Sequence, residues 1–139
     1  HKLFQQHIEA QCRRLRTLGF TGTPIIRGNL SAMDKSLLPS LQTVCTEILN
    51  NIAKHGKPGA FAFILSVGPD AVRIFASNLY NAAINSAPEN HYGTALIQDF
   101  AQQHNGTMTI NSENEEWSLS LTIPLAHQVK LMFSPTEKL

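Results

Sequence analysis

The sequence predicts a two-layer α/β sandwich with helices packed on one face of a sheet, and three features predict it. A wide apolar stripe runs along one helix from about Ser36 to His55. Two pairs of alternating segments, 60–67 with 71–77 and 107–111 with 117–124, read as hairpins. A helical pattern precedes each hairpin, so every sheet has a helix available to cover its apolar face.

The composition is that of one globular domain. The chain has 139 residues, 42% hydrophobic and 15% charged, enough to bury a core without disulfides or metals. Its formal net charge of +1 argues against a broad electrostatic grip on nucleic acid or on an anionic membrane. Cys12 and Cys45 lie far apart, and neither has a second Cys or a His at zinc-ligand spacing. No apolar run approaches the ~20 residues that span a bilayer, and the amino terminus shows no signal-peptide pattern.

The first element, KLFQQHIEAQCRRLRTL from Lys2 to Leu18, sets Leu3, His7, Ala10, Arg14 and Leu18 on one side and reads as a helix that is not deeply buried. Gly19 stops it. TPIIRG, from Thr23 to Gly28, is short and extended, and the following loop offers Asp34 or Ser36 as a helix N-cap, with Pro39 tolerated in the first turn. The main helix then carries Leu37, Leu41, Val44, Cys45, Ile48, Leu49 and Ile52 at three- and four-residue intervals. Gly56, Pro58 and Gly59 end it. AFAFILSV alternates as a strand, Gly68-Pro69-Asp70 turns the chain, and AVRIFAS returns. Asn78 to Tyr92 is rich in Asn, lacks a helical period and reads as a functional loop with the behaviour of a lid. Gly93 to His104 is helical again and is closed by Asn105-Gly106. In the last hairpin Trp117, Leu119, Leu121 and Ile123 alternate with polar residues, which buries one face; Trp117 and Cys45 read as core.

Chemistry points to the edge of the main helix. At 100° per residue Glu47, Asn51 and Lys54 share one narrow boundary of the apolar stripe. A carboxylate that polarises a water, an amide oxygen that takes a phosphate-bound metal, and an amine that meets phosphate charge would together serve a nucleotide. The same spacing also suits a plain solvated helix edge, in which Lys54 complements the helix dipole.

The order of the other motifs bears on that choice. TEILNNIAKHG, a strand ending in IFASN, a loop, and YGTAL opening a helix together resemble the ATP-binding domain of sensor histidine kinases, the superfamily that includes gyrase-type ATPases and Hsp90-type chaperones. Glu47 to His55 resembles the N box, Asn78 stands where the G1 box has Asp, and Gly93-Thr94-Ala95-Leu96 resembles the G-x-G-L box. LRTLGF followed by a loop and the N-box helix most resembles the subfamily related to the nitrate sensors. The resemblance covers about Arg14 to Leu125.

It implies a Bergerat-type fold with a mixed sheet, residues 1–18 as the end of a dimerisation helix or a linker, 19–125 as the ATP-binding catalytic domain, and 126–139 as a tail. Asn51 would hold Mg2+, Glu47 would support the catalytic water or metal shell, and Lys54 and His55 would flank the phosphates. Asn78, Gly93, Thr94, Ala95 and Leu96 would complete the ATP site, the helix start at Thr94 having its own attraction for an anion. The sequence departs from the family at Asn78, at Tyr80 and at Ala95, where the last two replace glycines. An Asn carbonyl can still accept the bond that the Asp accepts from adenine. The resemblance further implies the cytoplasmic piece of a membrane-anchored bacterial two-component kinase, with a response regulator downstream and the phosphoacceptor histidine on a dimerisation domain outside this sequence. Neither His1 nor His7 is followed by the acidic residue of a phosphoacceptor. Two other readings stay open: an anti-sigma-factor serine kinase, and an interaction module that has lost ATP.

Overall fold

A computed structural model describes residues 2–80 and 94–125. It contains α1 (Lys2–Thr17), β1 (Pro24–Gly28), a 3-10 turn (Leu30–Ala32), α2 (Leu37–His55), β2 (Gly56–Val67), β3 (Ala71–Tyr80), α3 (Thr94–Gln103), β4 (Thr107–Glu113) and β5 (Glu116–Pro124). The five strands form one sheet in the order β1-β2-β3-β5-β4. β1 runs parallel to β2, and the other pairs are antiparallel, so the sheet is mixed.

Period-two burial shows which face the helices cover. Along β3, Val72, Ile74, Ala76, Asn78 and Tyr80 are buried, whereas Arg73, Phe75 and Leu79 are exposed. The inward residues of β2, β3 and β5 join those of α1, α2 and α3 in a single core, with Trp117, Ile48 and Ile97 all fully buried. This is the expected two-layer sandwich. Turn chemistry fixes the hairpins: Gly68 donates to the Ala71 carbonyl, and Asn114 and Glu115 both take positive φ, as a two-residue turn between twisted strands requires. Asn105 (φ 57°) ends α3, and Gly106 N–H reaches back to the Ala101 carbonyl at 2.7 Å.

Three local expectations change, and a fourth is narrowed to one of its two candidates. The buried stripe of α1 is Phe4, Ile8, Cys12 and Leu15, not the neighbouring line through Leu3 and Leu18, which are 79% and 48% exposed. That stripe belongs to the common core, so α1 is more deeply packed than its polar composition suggests. Its flank is tied to α2 by His7, whose Nε2 lies 2.7 Å from the Thr46 hydroxyl, and by Arg14, which donates to Asn50. Thr46 gives its own proton to the Gln42 carbonyl, which leaves the His7 Nε2–H as the donor to Thr46. At the start of α2, Ser36 makes no side-chain cap; Asp34 instead accepts from the Ser36 N–H. β2 begins at Gly56 rather than at Ala60, through an irregular stretch between Gly56 and Phe61 that absorbs Pro58 and Gly59. Finally, Asn78, Leu79 and Tyr80 are strand, not loop: Asn78 pairs with Phe61 on one side and Trp117 on the other. The remainder of the expected lid (81–92), Gly93, His1 and the tail (126–139) lie outside the described residues.

Candidate functional site

α2 carries the polar line expected of it, with a steep gradient of burial. Glu47 is half-buried, Asn51 is 2% exposed and Lys54 is exposed. Asn51 therefore lies inside the stripe, not at its margin. The reason is geometric: seven residues after Val44 it sits only about 20° around the helix from that core position. A carboxamide in such a place must be satisfied by hydrogen bonds, and Asn51 does have partners. Lys54 and His55 supply the basic end of the helix, His55 half-buried.

Beneath that end of α2 lies Asn78, on the inner face of β3 and 2% exposed. Its Nδ2 donates to the Leu79 carbonyl at 2.7 Å, while its Oδ1 is buried without a hydrogen-bond partner among the described residues. Only the NH2 of an amide can give a proton to a carbonyl, so this bond settles which end is which. An unpaired buried oxygen costs about 1–3 kcal/mol, a cost that a donor from a bound molecule would remove. Gly56, the C-cap of α2, stands next to this amide: a Cβ there would overlap Asn78 Nδ2 and the Ile52 carbonyl oxygen and lie 3.1 Å from the Phe20 ring. Gly56 and Phe20 were legible only as a helix stop and a hydrophobic residue, and nothing local in the sequence marks them as neighbours of Asn78.

α3 supplies the third part. Its first residues, Thr94, Ala95 and Leu96, form the opening turn, Thr94 half-buried and the other two exposed. A cleft of about 480 Å³ separates Leu96 and Phe100 from Ser40, Thr43 and Val44 of α2. It lies on the N-terminal side of Glu47, and neither Asn51 nor Asn78 lines it. α2 is thus the common neighbour: it bears Glu47, Asn51 and Lys54, covers Asn78 with its C-terminal end, and faces α3 across the cleft. Tyr80, at a position where the family pattern has glycine, is a buried strand residue whose N–H donates to the Glu115 carbonyl.

Thiol chemistry has no place here. Burial pushes the Cys12 thiol up to about 11 and pushes Cys45 higher still, so neither is a thiolate near neutrality. Among the described residues no group of three or more His, Cys, Asp or Glu could hold a metal, and no helix is long and apolar enough to cross a membrane.

Neither a family model nor a curated protein matches the sequence. Solved structures do match. The catalytic domain of the histidine kinase ThkA superposes with a TM-score of 0.66 at 11% identity, covering 89% of this chain and 92% of that one. The chain has the fold of the histidine kinase catalytic domains. The Acinetobacter baumannii histidine kinase AdeS (TM-score 0.65, 11% identity, 86% of this chain) and a blue-light activated histidine kinase of Erythrobacter litoralis (0.65, 12%, 91%) share it. This chain spans 61% and 43% of those two longer proteins. The mixed sheet with helices on one face is therefore the architecture expected from the sequence.

Proposed function

We propose that this chain is the ATP-binding catalytic domain of a bacterial sensor histidine kinase, which presents the γ-phosphate of ATP to a histidine on a dimerisation domain. The observation that carries the reading is the buried, unpartnered oxygen of Asn78 within a histidine kinase catalytic-domain fold. The exocyclic amine of adenine is a donor of the kind that oxygen lacks. With the base held there, the α2 residues follow in a natural order. Asn51 offers a hard amide oxygen of the type that shares Mg2+ with phosphates, and the half-buried Glu47 one turn earlier holds a water or the metal's outer ligands. Mg2+, when bound, supplies charge neutralisation on the phosphates. Lys54 adds positive charge at the end of the helix with His55 beside it, and the opening turn of α3, from Thr94 to Leu96, presents the positive end of the helix dipole to an anion. Transfer of a phosphoryl group depends on positioning and charge more than on covalent chemistry by the protein, so this set suffices.

Within the same proposal, residues 1–18 are the end of a dimerisation helix or a linker, the phosphoacceptor histidine belongs to another domain, a response regulator lies downstream, and the whole protein is anchored in the membrane with this part in the cytoplasm. His7 is not the acceptor, since it is engaged with Thr46. Backbone ¹⁵N NMR tests the site: adding Mg-ADP is expected to shift Asn51, Gly56, Asn78 and Thr94 together. Shifts confined to other regions would reject the site, and no shift at millimolar nucleotide would favour a module that works by protein contact alone.

A further inference from the structure

We propose that Gly56 is a positioning residue that fixes which end of the Asn78 amide meets the nucleobase, making residue 78 a one-way acceptor that takes a base with an exocyclic amine and rejects one with a carbonyl there. This deepens, and rests on, the nucleotide reading above.

An asparagine is ambiguous as a reader of bases. One end of its amide accepts and the other donates, so a freely rotating amide would greet an amino group or a carbonyl equally well. Here the rotation is blocked. Nδ2 is held by the Leu79 carbonyl at 2.7 Å, and turning the amide over would set Oδ1 against that same carbonyl, acceptor against acceptor. The nitrogen end fits only because residue 56 has no side chain. Gly56 has φ −77° and ψ 162°, an extended conformation open to any residue, so the backbone does not require glycine. Space does: the Cβ of any other residue would overlap Asn78 Nδ2 on one side and the Ile52 carbonyl oxygen on the other. Since Asn78 is 2% exposed, the displaced amide has no solvent to turn into. Gly56, the Leu79 carbonyl and Asn78 therefore form one unit in which the oxygen alone remains to be used. Adenine brings an N–H to that oxygen, whereas guanine brings a second acceptor.

Calorimetry with ADP and with GDP, both with Mg2+, tests this on four proteins: wild type, Gly56→Ala, Asn78→Ala and the double variant. Wild type should favour ADP by at least about tenfold, the cost of facing two buried acceptors. Gly56→Ala should lose about tenfold in ADP affinity with little change for GDP, so that the preference narrows. In the Asn78→Ala background the same change should leave the ADP-to-GDP ratio unmoved, because the amide it displaces is gone and its remaining contact with the Ile52 carbonyl bears on both nucleotides alike. Equal loss for both nucleotides, or a Gly56→Ala change in the ADP-to-GDP ratio that persists without the amide, would overturn the proposal. So would equal binding of ADP and GDP by wild type, while the nucleotide reading would survive. Failure of wild type to bind either nucleotide would overturn that reading as well. Should Gly56→Ala not fold, the Asn78 side-chain NH2 signals of wild type decide: they should be protected from solvent exchange with and without ADP, and an amide that exchanges freely in the complex would contradict the assignment.

Discussion

Asn78→Asp restores the residue of the family motif, and a carboxylate is the stronger acceptor, so sequence logic alone favours it. The Leu79 carbonyl reverses that expectation. The amide N–H that now points at this carbonyl would be replaced by an oxygen 2.7 Å away, at a site where residue 78 is 2% exposed. Two oxygens at that distance require a proton between them, so the introduced carboxyl will take one up and donate it to the carbonyl. Its pKa in the folded state is thereby raised above the unfolded value of about 3.9, and the neutral form is the one that folding favours. For a group of this sign the stability is intact below the unfolded pKa and is lost as pH rises. Each unit costs about 1.4 kcal/mol, so some three units from pH 4 to pH 7 give at most about 4 kcal/mol of destabilisation relative to wild type. Urea unfolding of both proteins between pH 5 and pH 7.5 measures the slope directly. A difference that is small and independent of pH would refute the reasoning, since it would mean that the amide N–H does no work at Leu79.

Core and thiol predictions are simpler. Ile48→Ala should cost about 2–5 kcal/mol in urea unfolding, because Ile48 is fully buried in the stripe of α2 and its removal leaves a cavity. Both thiols should resist an aromatic disulfide reagent in the native protein at pH 8 and react once urea unfolds it. With the Cys12 pKa raised by burial from 9.0 to about 11, stability should be unaffected by this thiol below pH 9 and should fall as pH rises towards 11, measured against Cys12→Ala.

Much of this fold is legible because amphipathic period is a local signal. The stripe of α2, the alternation of Phe61, Phe63, Leu65 and Val67, and the Gly68-Pro69-Asp70 turn needed no tertiary knowledge. Where the sequence misleads, distant partners are the cause. Asn is a poor strand former, yet Asn78 is held in β3 by pairing with Phe61 and Trp117. The parallel union of β1 with β2 joins Pro24 to Phe63, a register that no short-range pattern encodes. α1 offers two candidate stripes one residue apart, and packing into the common core selects Phe4, Ile8, Cys12 and Leu15. The site was half legible: the line Glu47, Asn51, Lys54 could be read from spacing, but the burial of Asn51 and the role of Gly56 come from packing.

The proposed site makes Asn51 and Asn78 the residues that serve a magnesium-bound adenine nucleotide. Titration calorimetry of Mg-ADP into the wild-type chain and into Asn51→Ala, which removes the metal-binding oxygen, tests it most directly, with circular dichroism confirming that the buried substitution still folds. Saturable one-to-one binding by wild type, weakened by chelating Mg2+ and lost in a folded Asn51→Ala, is the predicted result. Absence of binding by wild type at millimolar Mg-ADP, or the same affinity in the folded variant, would contradict it.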